Sequence, residues 1–153
     1  MPCDDVTETL RLELDDADRL VGYQLIKRTC GRAVGERTLL AAEFVGMDAA
    51  DVLELDAGEF AEASAATGIS DEELFLRMKH FFAVQGGLRV LLGRDSGGLG
   101  EPVTVARISL TDQITTFDAD IAVEVLTEQI KSCGKCKGCG SLAKKITAAA
   151  GTP

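Results

Sequence analysis

The residues with the most obvious chemical capacity are the five cysteines, Cys3, Cys30, Cys133, Cys136 and Cys139, and the one histidine, His80. Cys133, Cys136 and Cys139 form a C-x-x-C-x-x-C run with Gly134, Gly138 and Gly140 between and after them. Two intervening residues let a loop bend so that successive sulfurs face one metal centre, and glycine opens backbone conformations closed to other residues. The glycine N–H groups can also donate to thiolates or to cluster sulfides. Three thiolates are one short of a closed zinc site or a fully cysteine-ligated cluster. Cys30, Cys3, His80, a small molecule or a second chain are the candidates for the missing ligand. The plainer alternatives for this tail are a redox dithiol or an unoccupied segment.

Cys30 is placed by its neighbours. Val21, Tyr23 and Leu25 alternate with Gly22 and Gln24, the period of a half-buried strand running from about Leu20 to Thr29. Beyond Cys30, the spacing of Val34, Leu39, Leu40, Phe44 and Val45 predicts a helix that stops near Gly46. Cys30 is then expected at a helix start, where free N–H groups favour thiolate over thiol. Taken alone, it would read as a small buried hydrophobe. Upstream, Thr9 to Leu14 alternates polar and apolar, and Asp15-Asp16-Ala17-Asp18 makes a turn, so the two strands read as a hairpin. Antiparallel pairing would bring Cys3, Asp5 and Cys30 to one edge of the sheet.

The remaining elements follow from caps and periodicity. Asp48 can cap a short helix holding Val52, Leu53 and Leu55, and the Ala-rich stretch 56–68 reads as a short helix with Phe60 as its anchor. Ser70-Asp71-Glu72-Glu73 is a capping-box pattern that opens a longer helix with Leu74, Met78, Phe81, Gln85, Leu88 and Leu92 at helical spacing. His80 lies within it, where a lone histidine is more often packed or at the surface than a ligand, and Lys79 reads as a solvated charge. Gly86-Gly87 marks a kink or a close helix contact. A Gly-rich link over 95–100 precedes a second hairpin, with Val103, Val105, Ile108 and Leu110 before a turn near Thr111-Asp112 and Ile121, Val123 and Val125 after it. A terminal helix is expected from about Ser141 to Ala149. The expected organisation is residues 1–94 as one domain and 101–153 as a hairpin with a cysteine-rich tail.

The chain has 153 residues, 46% hydrophobic and 27% charged, which is an ordinary globular balance. Its formal charge of −9 does nothing to favour nucleic acid as a partner. No apolar run approaches a bilayer span, and the N-terminus carries no secretory pattern, so the expected location is cytoplasmic and not membrane-bound. Five cysteines in a reducing compartment point to metal binding or redox chemistry more than to a disulfide framework.

The order of these features resembles a known family. Cys3-Asp4-Asp5 followed by the Leu10, Leu12, Leu14 strand resembles the Cys-Gly-Asp motif of U-type iron–sulfur scaffolds, the IscU and NifU N-terminal family. Thr29-Cys30-Gly31-Arg32-Ala33 is similar to that family's Gly-Cys-Gly-x-Ala motif, with a helix ending at a glycine such as Gly46. Asp48 to Val52 resembles the helix that comes next, and Lys79-His80-Phe81 a degenerate Lys-x-His-Cys motif. The likeness spans about residues 3–93. It implies an α+β fold, with a small antiparallel sheet packed by helices, on which sulfur from a cysteine desulfurase and iron are assembled on cysteines. It also implies that an aspartate at the place of Asp5 governs cluster lability. Asp4 stands where the first motif has glycine, and Phe81 stands where the third motif has its cysteine. Cys133-Gly134-Lys135-Cys136 before a helix also resembles the second cysteine pair of bacterioferritin-associated-ferredoxin modules.

The resulting expectation is a scaffold or carrier, not an enzyme, holding a [2Fe-2S] or [4Fe-4S] cluster through Cys3, Cys30 and one or more of Cys133, Cys136 and Cys139. Asp5 and His80 would be exchangeable ligands, and apo iron–sulfur proteins the recipients, with a homodimer as one arrangement. The alternatives are a stable electron-transfer cluster, a zinc protein and, more distantly, a thiol oxidoreductase.

Overall fold

A computed structural model describes residues 6–29 and 32–122. The alternation of leucines in β1 (Val6–Leu14) and of Tyr23 and Leu25 in β2 (Leu20–Thr29) builds an antiparallel hairpin, paired from Val6 with Thr29 to Leu14 with Leu20. Asp15 shapes the turn by accepting from the Ala17 and Arg19 N–H groups, both at 2.9 Å. Three further strands, β3 (Arg32–Val34), β4 (Val103–Thr111) and β5 (Ile114–Ile121), complete an antiparallel sheet in the order β3-β2-β1-β5-β4. With α1 (Ala41–Phe44), α2 (Ala49–Glu54), α3 (Ala57–Ala65) and α4 (Asp71–Leu91), the described residues form an α+β fold.

Residues directly opposite one another on neighbouring strands share a face, so the inner face is a set of rows. Tyr23, Leu12, Phe117 and Ile108 make one; Leu25, Leu10, Ala119 and Val105 make the next; Leu20, Leu14, Thr115 and Leu110 make a third. Leu10, Leu12, Leu14, Phe117 and Ala119 in the middle of these rows are buried, and α4 crosses the sheet from β2 towards β4. Phe81 on α4 stacks on Phe60 of α3, with ring centroids 4.7 Å apart, and lies 6.0 Å from Phe44 of α1. Gln85 donates to the carbonyls of Val52 and Leu55 and so pins the end of α2 to α4.

Ser70 caps α4 by accepting from the Glu73 N–H at 3.1 Å, as the capping-box pattern predicts. Asp48 stands at the N-cap of α2 but makes no side-chain cap bond there; its role is backbone pairing with Arg19. The glycine pair produces neither a break in α4 nor a helix contact. A Cβ on Gly87 would lie 2.4 Å from Leu10 Cδ2 and 3.0 Å from Leu12 Cδ1, so the glycine lets the helix descend onto the sheet.

Two readings need correction. The residues after Cys30 do not open a helix: Arg32–Val34 pair with Lys27–Thr29 as β3, and α1 begins only at Ala41. The apolar period from Val34 to Val45 straddles a strand, a loop and a short helix. Only Leu40 and Phe44 of that series are buried, while Val34 and Val45 are exposed. In the second hairpin the turn is Asp112-Gln113, both at positive φ, and β5 begins at Ile114. Val123, Val125 and the terminal helix lie outside the described residues. β5 pairs with β1 along its length, so the segments expected as 1–94 and 101–153 both contribute strands to one sheet. Among the described residues no helix is long and apolar enough to cross a membrane.

Candidate functional site

Six of the seven candidate ligands, Cys3, Asp5, Cys30, Cys133, Cys136 and Cys139, lie outside the described residues. The backbone around them is informative. Val6, which follows Asp5, pairs with Thr29, which precedes Cys30. Arg32, which follows Gly31, pairs with Thr29 from the other side. Ile121 pairs with Glu8, and the segment carrying the last three cysteines continues from Ala122. All three cysteine-bearing segments therefore join the described fold at the same end of the sheet.

That end is where the apolar rows give way to charge. The last inner row is Val34, Lys27, Glu8, Ile121 and Val103. Glu8 continues the face of Leu10, Leu12 and Leu14 and is only 3% exposed. Lys79, reaching down from α4, forms an ion pair with it, so Lys79 is a half-buried partner and not the solvated charge its sequence context suggests. Lys27 stands opposite Glu8, and burial, followed by the charge of Lys79, lowers its pKa, while Glu8 opposes the shift. A buried carboxylate is tolerated only with such partners. The trio lies within two residues of Val6, roughly 7 Å along the strand.

These residues were overlooked among the sequence candidates, although each leaves a mark there. Glu8 and Lys27 occupy the inward parity of their strands, where Leu10, Leu12, Tyr23 and Leu25 are apolar. Two charges at the same end of a paired hairpin, both on its buried face, are a legible break in pattern.

His80 is buried, at 5% exposure, and its surroundings are structural. The Leu40 N–H donates to the Tyr23 hydroxyl at 2.6 Å, which leaves the Tyr23 O–H to donate to His80 Nδ1 at 3.0 Å. The ring proton is then on the other nitrogen, with the Glu36 backbone carbonyl as its acceptor. Burial, reinforced by the charge of Lys79, pushes the His80 pKa down to about 4, against smaller opposing contributions from Glu36. The ring is neutral and both nitrogens are engaged; ligation by His80 would require breaking one of these bonds. What the chain of bonds does as it stands is tie α4 and β2 to the loop 35–40 that follows β3. Burial likewise raises the Tyr23 pKa, against the opposing bond from Leu40.

Among the described residues no group of three or more His, Cys, Asp and Glu side chains could hold a metal ion. Comparison with protein-family models, with curated proteins and with solved structures found no match to this chain.

Proposed function

We propose that this chain is a scaffold or carrier for iron–sulfur clusters, a variant of the U-type arrangement in which tail cysteines replace a missing third thiolate. The observation that supports it is the convergence of the three cysteine-bearing segments on one end of the sheet, beside Lys27, Glu8 and Lys79. Cys3, Cys30 and one or more of Cys133, Cys136 and Cys139 would hold the cluster as cargo, with Asp5 as an exchangeable ligand. Thiolate is the form that binds iron and accepts sulfur, and neighbouring ammonium groups favour it. In this reading the lysines supply the cationic field that a helix start at Cys30 would otherwise have supplied. Sulfur would come from a cysteine desulfurase, and an apo iron–sulfur protein would take the finished cluster.

The test is metal and acid-labile sulfide analysis of anaerobically purified protein, with its visible spectrum, followed by transfer to an apo-ferredoxin. Iron with matching sulfide and rapid transfer is the expected result. Iron and sulfide that stay with the chain would make it a stable cluster protein. Zinc that persists through reconstitution with iron and sulfide would make it a zinc protein, and a chain that binds neither metal would overturn the reading.

A further inference from the structure

The two edges of the sheet are unequal. β3 is a three-residue strand, whereas β4 spans nine residues. The first half of β4 is closed off: the Val105 N–H donates to the Gly97 carbonyl at 2.9 Å, and a bulge follows between Val105 and Arg107. Both are ordinary means of blunting an edge. The second half, residues 107–111, has neither among the described residues. Ile108 and Leu110 there continue the inner-face rows of Phe117 and Thr115, yet they are 54% and 73% exposed, since none of the described helices reaches over them.

We propose that residues 107–111 of β4 pair antiparallel with the same residues of a second copy, joining two sheets across a two-fold axis at Ser109. The sequence of this strand selects both the partner and the register. Centring on Arg107 would set two guanidinium groups opposite each other, which is destabilising. Centring on Ile108 would bring Val105, already bonded to Gly97, into the pairing. Centring on Ser109 sets Ile108 against Leu110 of the other copy and Arg107 against Thr111, with no like charges opposed. It also places Asp112 of one copy beside Arg107 of the other. In that register the row Tyr23, Leu12, Phe117, Ile108 runs on into Leu110 of the second copy, so the apolar layer continues across the junction. The inference is independent of the proposed cluster chemistry, which concerns the Glu8 end of the sheet.

Sedimentation velocity of the full chain over a wide concentration series tests it. The expected result is a reversible monomer–dimer equilibrium. Leu110→Lys and Ile108→Lys should each weaken it by roughly tenfold or more. Leu99→Lys, which changes a loop residue 96% exposed, should leave it unchanged. Hydrogen exchange of the wild-type chain gives a second readout that needs no variant: amides within 107–111 should become more protected as concentration rises. A chain that stays monomeric, a dimer indifferent to both strand variants, or protection of 107–111 that is independent of concentration, as when segment 123–153 covers the edge, would overturn the proposal.

Discussion

A buried imidazole with both nitrogens engaged carries a pH dependence whose sign is set by where the proton would have to go. In the folded chain His80 titrates near 4, against an ordinary value of 6.5. Well above the ordinary value of 6.5 the ring is neutral in both states and contributes no slope. As pH falls towards 4, the unfolded chain takes up a proton that the folded chain refuses, so stability is lost across that window and no further below it. The loss has an upper bound of roughly 3 kcal/mol. His80→Asn, which can still accept from Tyr23, should flatten the urea-unfolding stability of the chain between about pH 4.5 and 7 relative to wild type. An unchanged slope would mean that the ring is not held neutral. The ion pair between Lys79 and Glu8 makes a second prediction at this scale. Lys79→Met strands a buried carboxylate with only Lys27 opposite it and should cost up to about 3 kcal/mol. Adding Glu8→Leu should recover most of that loss, because what destabilises is the uncompensated charge and not the absence of the pair. Denaturant midpoints of the single and the double variant decide it.

At the scale of elements, what was legible in the sequence was whatever a local pattern controls. The β1–β2 hairpin could be read from alternation, and the start of α4 from the Ser70 cap, because each is settled within a few residues. The stretch after Cys30 could not, because three short elements happen to space their apolar residues at a helical period while only Leu40 and Phe44 use it for burial. β5 was obscured for the opposite reason: its Thr116, Asp118 and Asp120 face water, so only Phe117 and Ala119 are deeply buried. The candidate site divides along the same line. Cysteine spacing is visible in sequence, but the pairing of Lys79 with Glu8 depends on α4 crossing β1, which no local pattern records. The turn and the helix crossing can each be tested. Asp112-Gln113 closes the β4–β5 hairpin with both residues at positive φ, the geometry that favours glycine second. Gln113→Gly should therefore stabilise the chain by about 0.5–1 kcal/mol, net of the entropy glycine adds to the unfolded state. Gly87→Ala should do the reverse, since the new methyl meets Leu10 and Leu12 and must push α4 off the sheet; a cost of roughly 1–3 kcal/mol is expected from thermal unfolding.

At the scale of the molecule, the question is whether the distant cysteines serve one site. The topology makes sharing economical: β1 starts, β2 ends and β5 ends at the same end of the sheet, so segments that are far apart in sequence leave from adjacent strands. Sharing and independence differ in how losses combine. If Cys30 and Cys136 hold one cluster, removing either thiolate disrupts the same cargo, and removing the second has little left to disrupt. If each belongs to its own centre, the two losses add. Bound iron and sulfide should therefore fall to nearly the same level in Cys30→Ser, in Cys136→Ser and in the double variant, a strongly non-additive outcome of the kind that groups acting as a unit produce. Additive losses would assign the tail a centre of its own and leave the Cys30 end of the sheet a separate site. Full iron in Cys30→Ser alone would remove that end from the chemistry, and with it the role proposed for Lys27, Glu8 and Lys79.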